Sequence, residues 1–341
     1  MPVSKSGRII PILLIGCLSM LFAEVFAGAS QIWILNFWSL LVTFPLYLTH
    51  LLLLLNLAMR TKRTSIPQLY LWGAIFALYE AWITKVLWTG YPGSGGPILG
   101  FILGIATVEF IVLVFFWHPI MAFILPILIF ELLSISKTEP AGEDLELLPG
   151  HLSSLSKSSL MMRILMIMIF LGSAFLAVNT GFNVFVALIA SASSVGLVFI
   201  LYKITGEFSI HSLKLGNLGL GLISVFVIGL NVFWFFFLLP ENIPTSFIPI
   251  LMIVFLYLLF GLLIGISKPR EIQKIDVKRE PEIIKLKELI WLFIIFIILS
   301  GLYCLIPFLG ILLFAVFTFG LLGMGPILFI YMSIKSIRGE K

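Results

Sequence analysis

Apolar residues run through this 341-residue chain in long blocks broken by short polar stretches. A helix needs about 20 mostly apolar residues to cross about 30 Å of hydrocarbon. Blocks of that kind cover 9–27, 31–59, 67–90, 97–117, 119–135, 160–178, 183–204, 215–239, 247–267, 289–306 and 308–334. No alternation of apolar and polar residues runs through them, which excludes barrel strands. The pattern predicts an all-α, polytopic transmembrane helical bundle.

The first block needs a test against a targeting signal. Lys5 and Arg8 precede it, and Ala27-Gly28-Ala29 closes it in the manner of a signal-peptidase site. Leu14-Ile15-Gly16-Cys17 has the outline of a lipobox, yet the apolar run continues where a lipidated cysteine would open a polar tether. The block is read as a helix.

Lys and Arg in short loops orient the spans. Lys5 and Arg8, then Arg60, Lys62 and Arg63, sit inside if the N-terminus is cytoplasmic, and the uncharged turn 91–96 then lies outside. Lys203 with Lys214, the basic loop at 268–288, and Lys335, Arg338 and Lys341 also want the cytoplasm. Eleven full spans would put the loop at 268–288 outside. The block 119–135 is the shortest and holds Pro119 and Pro126, which weaken a continuous helix. Ten spans plus one Pro-broken or re-entrant segment, with both termini inside a plasma membrane, is the preferred topology; eleven full spans is the alternative.

The stretch 136–159 carries Glu139, Glu143, Asp144 and Glu146 among prolines and serines, and reads as a polar linker. It divides the chain into an N-terminal bundle, 1–135, and a C-terminal bundle, 160–341. No repeat between the halves is legible, so the inverted repeat common in transporters has no support.

Composition narrows the classes. At 61% hydrophobic and 11% charged residues, with a mean hydropathy of +1.18, the chain is too apolar for a water-soluble globule. Thirty-two Phe and eight Trp exclude disorder. Two Cys and four His leave no disulfide framework, Cys-built zinc module or histidine cage, so no metal or cofactor is expected. The net charge of +5 fits basic loops at a membrane rather than nucleic-acid binding. Lys268–Lys287 interleaves charges with isoleucines and is expected to lie on anionic inner-leaflet lipid.

Carboxylates inside the apolar blocks are confined to the N-terminal bundle, at Glu24, Glu80, Glu109 and Glu131, with Lys85, His50 and His118 in the same half; the later blocks hold no carboxylate, and Arg163 is near a block's end. A charge at the bilayer centre costs at least about 2.5–3.5 kcal/mol on insertion scales, so such groups face protein or water. Glu80 lies ten positions before Gly90 and Glu109 twelve after Pro97, which puts both roughly 15–18 Å below the outer turn if their blocks are helices. They are the candidate proton or cation site. Gly96, Gly100 and Gly104 repeat at helical GxxxG spacing, and a helical projection points Glu109 away from that face. Lys85 is five positions beyond Glu80 and is a candidate counter-charge or a snorkelling lysine, while Thr84 and Trp88 share the face of Glu80. His118 and Glu131 form a secondary polar site in the Pro-containing block. Glu24 is expected to be wetted at a helix end, and His50 to be a packing histidine.

The uncharged glycine turn lacks the Walker lysine and a preceding strand, so it is a hairpin and not a phosphate cradle. No Ser/His/Asp set, Cys/His pair or Asp-rich phosphate motif is present, and Cys17 and Cys304 sit in apolar runs as packing thiols. Three readings of function follow. Transport of a small solute or ion on mid-membrane carboxylates is preferred. A membrane enzyme acting on a lipid or polyprenyl-linked substrate, and a non-catalytic assembly subunit, are the alternatives.

Overall fold

A computed structural model describes residues 8–138, 145–155, 159–270, 273–275 and 283–339. Among them the chain is an all-α bundle, with eight helices long and apolar enough to cross a membrane and shorter apolar ones beside them. Ser39–Arg60, Thr107–Lys137, Met161–Asn179, Val184–Ile204, Asn217–Phe237, Phe247–Ile266, Leu286–Leu305 and Pro307–Arg338 are the long ones. Helix Ile9–Met20 continues into a wide π-turn at Leu21–Val25.

Two expectations change. The block 119–135 is no separate or re-entrant element, because Thr107–Lys137 is one continuous helix through Pro119. Its turns widen to π geometry over Leu113–Ile124, which lets the chain pass a residue without an N–H. The break lies earlier. Helix Ile66–Ala77 is followed by single turns at Tyr79–Trp82 and Val86–Thr89, and 97–106 is not helical. Gly96, Gly100 and Gly104 have positive φ there, so they are turn glycines and not a helix-packing face. Phe101–Ile102 and Ile105–Ala106 pair as a small antiparallel hairpin about Leu103 and Gly104, both left-handed.

The chain divides into two compact units that interleave in sequence. Unit 1 comprises 1–48, 125–214 and 271–318; unit 2 comprises 49–124, 215–270 and 319–341. The stretch 136–159 falls within unit 1, so it does not separate the two. In unit 1 aromatic rings and small residues make the core. Phe26 stacks on Phe296 at 4.1 Å between centroids, and Gly172 leaves the room Phe26 fills.

Unit 2 has two distinct ends. Arg60 donates to Asn217 Oδ1 and the Leu215 carbonyl, Gln68 to Ser267 Oγ and the Lys268 carbonyl, and Arg270 N to the Lys62 carbonyl. The Arg270 guanidinium also donates to the Gly339 carbonyl, so three basic stretches, around 60–63, 268–270 and 335–339, meet at one end. The hairpin 101–106 meets Pro249, where Phe247–Ile266 begins, and so marks the other end. At 1.5 Å per residue a 20-residue helix separates them by about 30 Å.

Candidate functional site

The site in unit 2 starts from a helix with a well-made beginning. Ser65 N–H and hydroxyl both donate to Gln68 Oε1, and Pro67 stands in the first turn, where its missing N–H costs nothing. Helix Ile66–Ala77 then lies so close to the wide-turned segment that a Cβ on Gly73 would be 2.5 Å from Pro119 Cα. Tyr70 donates its hydroxyl to the Phe115 carbonyl at 2.6 Å, one turn before that proline. This contact carries the end of the helix, with Tyr79 and Glu80 just past it, to His118.

Glu80 and His118 are both buried, with Glu80 Oε1 3.4 Å from His118 Nε2. Thr84 Oγ1 lies 2.5 Å from Glu80 Oε2 and 2.7 Å from the Glu80 carbonyl, so its one hydroxyl proton is shared between them just past the turn Tyr79–Trp82. Tyr79 Oη lies 3.0 Å from His118 Nε2 and is also within hydrogen-bonding reach of Glu80. His118 Nδ1 is 3.2 Å from the Leu113 carbonyl, which can only accept, so Nδ1 carries a proton. Nε2 is then the nitrogen that faces Tyr79 Oη and Glu80 Oε1. Neutral, it accepts from Tyr79; protonated, it donates to Glu80. His50 stacks on Phe76 at 5.2 Å, accepts from Asn231 and lies 5.6 Å from Tyr79, so it packs as expected while forming a wall of the network.

Lys85 is not the counter-charge of this network. The chain turns left-handed at Lys85 (φ +60°), and its fully buried ammonium donates to the carbonyls of Trp234, Leu238 and Ile83. It caps the C-terminal end of Asn217–Phe237, where carbonyls lack helical partners. Phe235 covers it at 5.6 Å.

Glu109 is also fully buried, but near the loop end rather than mid-helix, because its helix starts at Thr107 and not at Pro97. Its Oε1 accepts from Ile98 N at 3.4 Å, and among the described residues its buried Oε2 has no hydrogen-bond partner. Tyr91, half-buried in the glycine loop, has its phenol pushed up by burial and then by the charges of Glu109 and Glu80. Both carboxylates therefore act on one loop residue.

Glu131 belongs to unit 1 and takes a different partner from the one expected. Its Oε1 accepts from Leu148 N at 2.9 Å and its Oε2 lies 2.5 Å from His151 Nδ1. His151 gave no sequence signal, since it lies twenty residues away in a stretch that reads as linker. Glu24 accepts from Ser30 at 2.5 Å. Among the described residues no group of three or more His, Cys, Asp or Glu forms a metal centre.

The buried ionisable network lies in an apolar bundle, and comparison with known proteins agrees with a membrane setting. A family model described as "Uncharacterized membrane protein family" matches residues 13–336. The chain belongs to that family. An "Uncharacterized protein" of Archaeoglobus fulgidus is 34% identical to this family member over 280 residues, covering 78% of this chain and 81% of its own. No solved structure matches. The protein is a polytopic membrane protein, as its helices require.

Proposed function

We propose that this protein moves a small solute or ion across the plasma membrane in a proton-linked cycle, with Glu80 and His118 in unit 2 as the proton site. The observation that carries this reading is the position of His118 Nε2, buried between Tyr79 Oη and Glu80 Oε1. A proton on that nitrogen replaces the Tyr79 bond with a Glu80 bond, so protonation is tied to a change of partners. Glu80 lies fifteen residues beyond Ser65 at the basic end, about 20 Å along a helix, which fits a depth well inside the hydrocarbon. Broken helices beside a buried ionisable group are the arrangement transporters use at their binding sites. In this reading the basic end of unit 2 faces the cytoplasm and anionic inner-leaflet lipid. Of the basic loop, 271–272 and 276–282 lie outside the described residues; Lys268 and Arg270 lie within them.

The test is solid-supported-membrane electrophysiology on reconstituted protein, with pH jumps and a panel of small ions, amino acids and sugars. Transient currents are expected with at least one solute, lost in Glu80→Gln and partly kept in Glu80→Asp, because a relay needs an ionisable group and not only a hydrogen bond. Currents that are the same in Glu80→Gln and the wild type, or absent throughout, reject the reading.

A further inference from the structure

Glu109, paired with Glu80 in the sequence reading as a candidate proton or cation site, is the second buried carboxylate of unit 2 and takes no part in the Glu80–His118 network. It is 0% exposed, its Oε1 has one long bond from Ile98 N, and its Oε2 has none among the described residues. A buried carboxylate oxygen without a donor is unfavourable unless its charge is met. The ammonium of Lys85 does not meet it, because that group is committed to three carbonyls. The first turn of a helix relieves part of the charge and still leaves Oε2 without a donor.

The covering of this carboxylate differs from that of Glu80. Residues 90–106 form it, and Gly93, Gly95, Gly96 and Gly100 all have positive φ with open space where a side chain would stand. The stretch 92–96 is proline, serine and glycine beside Tyr91, while Ile98, Leu99 and Phe101–Leu103 form an exposed apolar tip further along. A group that meets a lone buried carboxylate oxygen of this kind is small and positively charged.

We propose that Glu109 Oε2 binds a monovalent cation, H+ or Na+, admitted through the glycine loop 90–100, and serves as the outer station for the Glu80 site. Its place in a transport cycle rests on the reading above; binding at Glu109 stands apart from it. H+ would bind as a covalent O–H and Na+ as an ion that draws further oxygens to it; both cancel the carboxylate charge, and they separate experimentally.

The experiment is infrared difference spectroscopy of the full-length protein in lipid nanodiscs. Choline is exchanged for Na+ at fixed pH, and pH is then stepped in choline alone. A carboxyl band that responds is expected in the wild type and in Glu80→Gln and is lost in Glu109→Gln. A response to Na+ at fixed pH assigns sodium; a response to pH alone assigns the proton. Glu109→Asp keeps a carboxylate on a shorter arm, so the response persists with its band displaced. An unchanged band in Glu109→Asp, or no band in any condition that depends on Glu109, overturns the proposal. Because Glu80→Gln leaves this response intact while removing transport currents, failure of one reading is distinguishable from failure of the other.

Discussion

Lys85 shows at the scale of a residue how burial assigns a role that charge alone does not. A lysine five positions from a glutamate in an apolar block reads as a counter-charge, but its ammonium ends among the Trp234, Leu238 and Ile83 carbonyls. The left-handed backbone at Lys85, which costs a non-glycine residue of order 1–3 kcal/mol, is the turn that aims it there. Lys85→Met leaves buried acceptors without a donor and is expected to lower stability by about 2–3 kcal/mol. Thermal unfolding in detergent should then show a clear drop, smaller for Lys85→Arg. Equal midpoints for Lys85→Met and wild type would mean that these carbonyls find other donors. The Glu80–Thr84 contact was legible from spacing alone. The Glu80–His118 contact was not, because the two are 38 positions apart and meet only through the packing of two helices.

At the scale of elements, that packing depends on one missing side chain. Gly73 lets helix Ile66–Ala77 settle against Pro119, and a Cβ there would overlap backbone, which cannot swing aside. Gly73→Ala should force the helix away from Leu113–Ile124, at a cost of about 1–3 kcal/mol. It should also remove the proton-linked currents, since a small displacement parts Glu80 from His118. A variant with normal stability and normal currents would show that the helix does not need this approach. Most helices were legible because lipid-facing segments must be long and apolar. The exceptions share one cause. Residues 97–106 are apolar enough to read as helix, yet Ile98, Leu99 and Phe101–Leu103 form an exposed apolar tip on a hairpin. Hydrophobicity reports contact with lipid or core, not backbone geometry. Pro119 misled in the opposite sense, since π-turns carried the helix through it.

For the whole molecule, the expected orientation follows from where basic residues gather. In unit 2 the contacts between Lys62, Arg270, Lys268 and Gly339 bring three basic stretches to the end opposite the glycine loop. On the positive-inside rule that end is expected in the cytoplasm. Cysteines placed at Lys62 and Arg338 should react with an impermeant maleimide only in inverted vesicles, and one at Ser94 only in intact cells. The native Cys17 and Cys304 are buried and add no background. Labelling of Lys62→Cys and Ser94→Cys from the same side would reject the orientation. The division into units was not legible, because each unit collects three separated stretches while a polar linker offers the eye one cut.

The sequence by itself determined that this is a multi-span helical membrane protein, where most helices run, and which buried carboxylates need explaining. Those are consequences of composition and local period, which act on neighbouring residues. Only the tertiary structure decided the partners: His118 for Glu80, His151 for Glu131, three carbonyls for Lys85, and, among the described residues, an unpartnered oxygen for Glu109. In an apolar interior a polar group is fixed by whichever donor or acceptor packing brings within about 3 Å. That distance is set by how helices bend, widen and approach, and no spacing along the chain contains it.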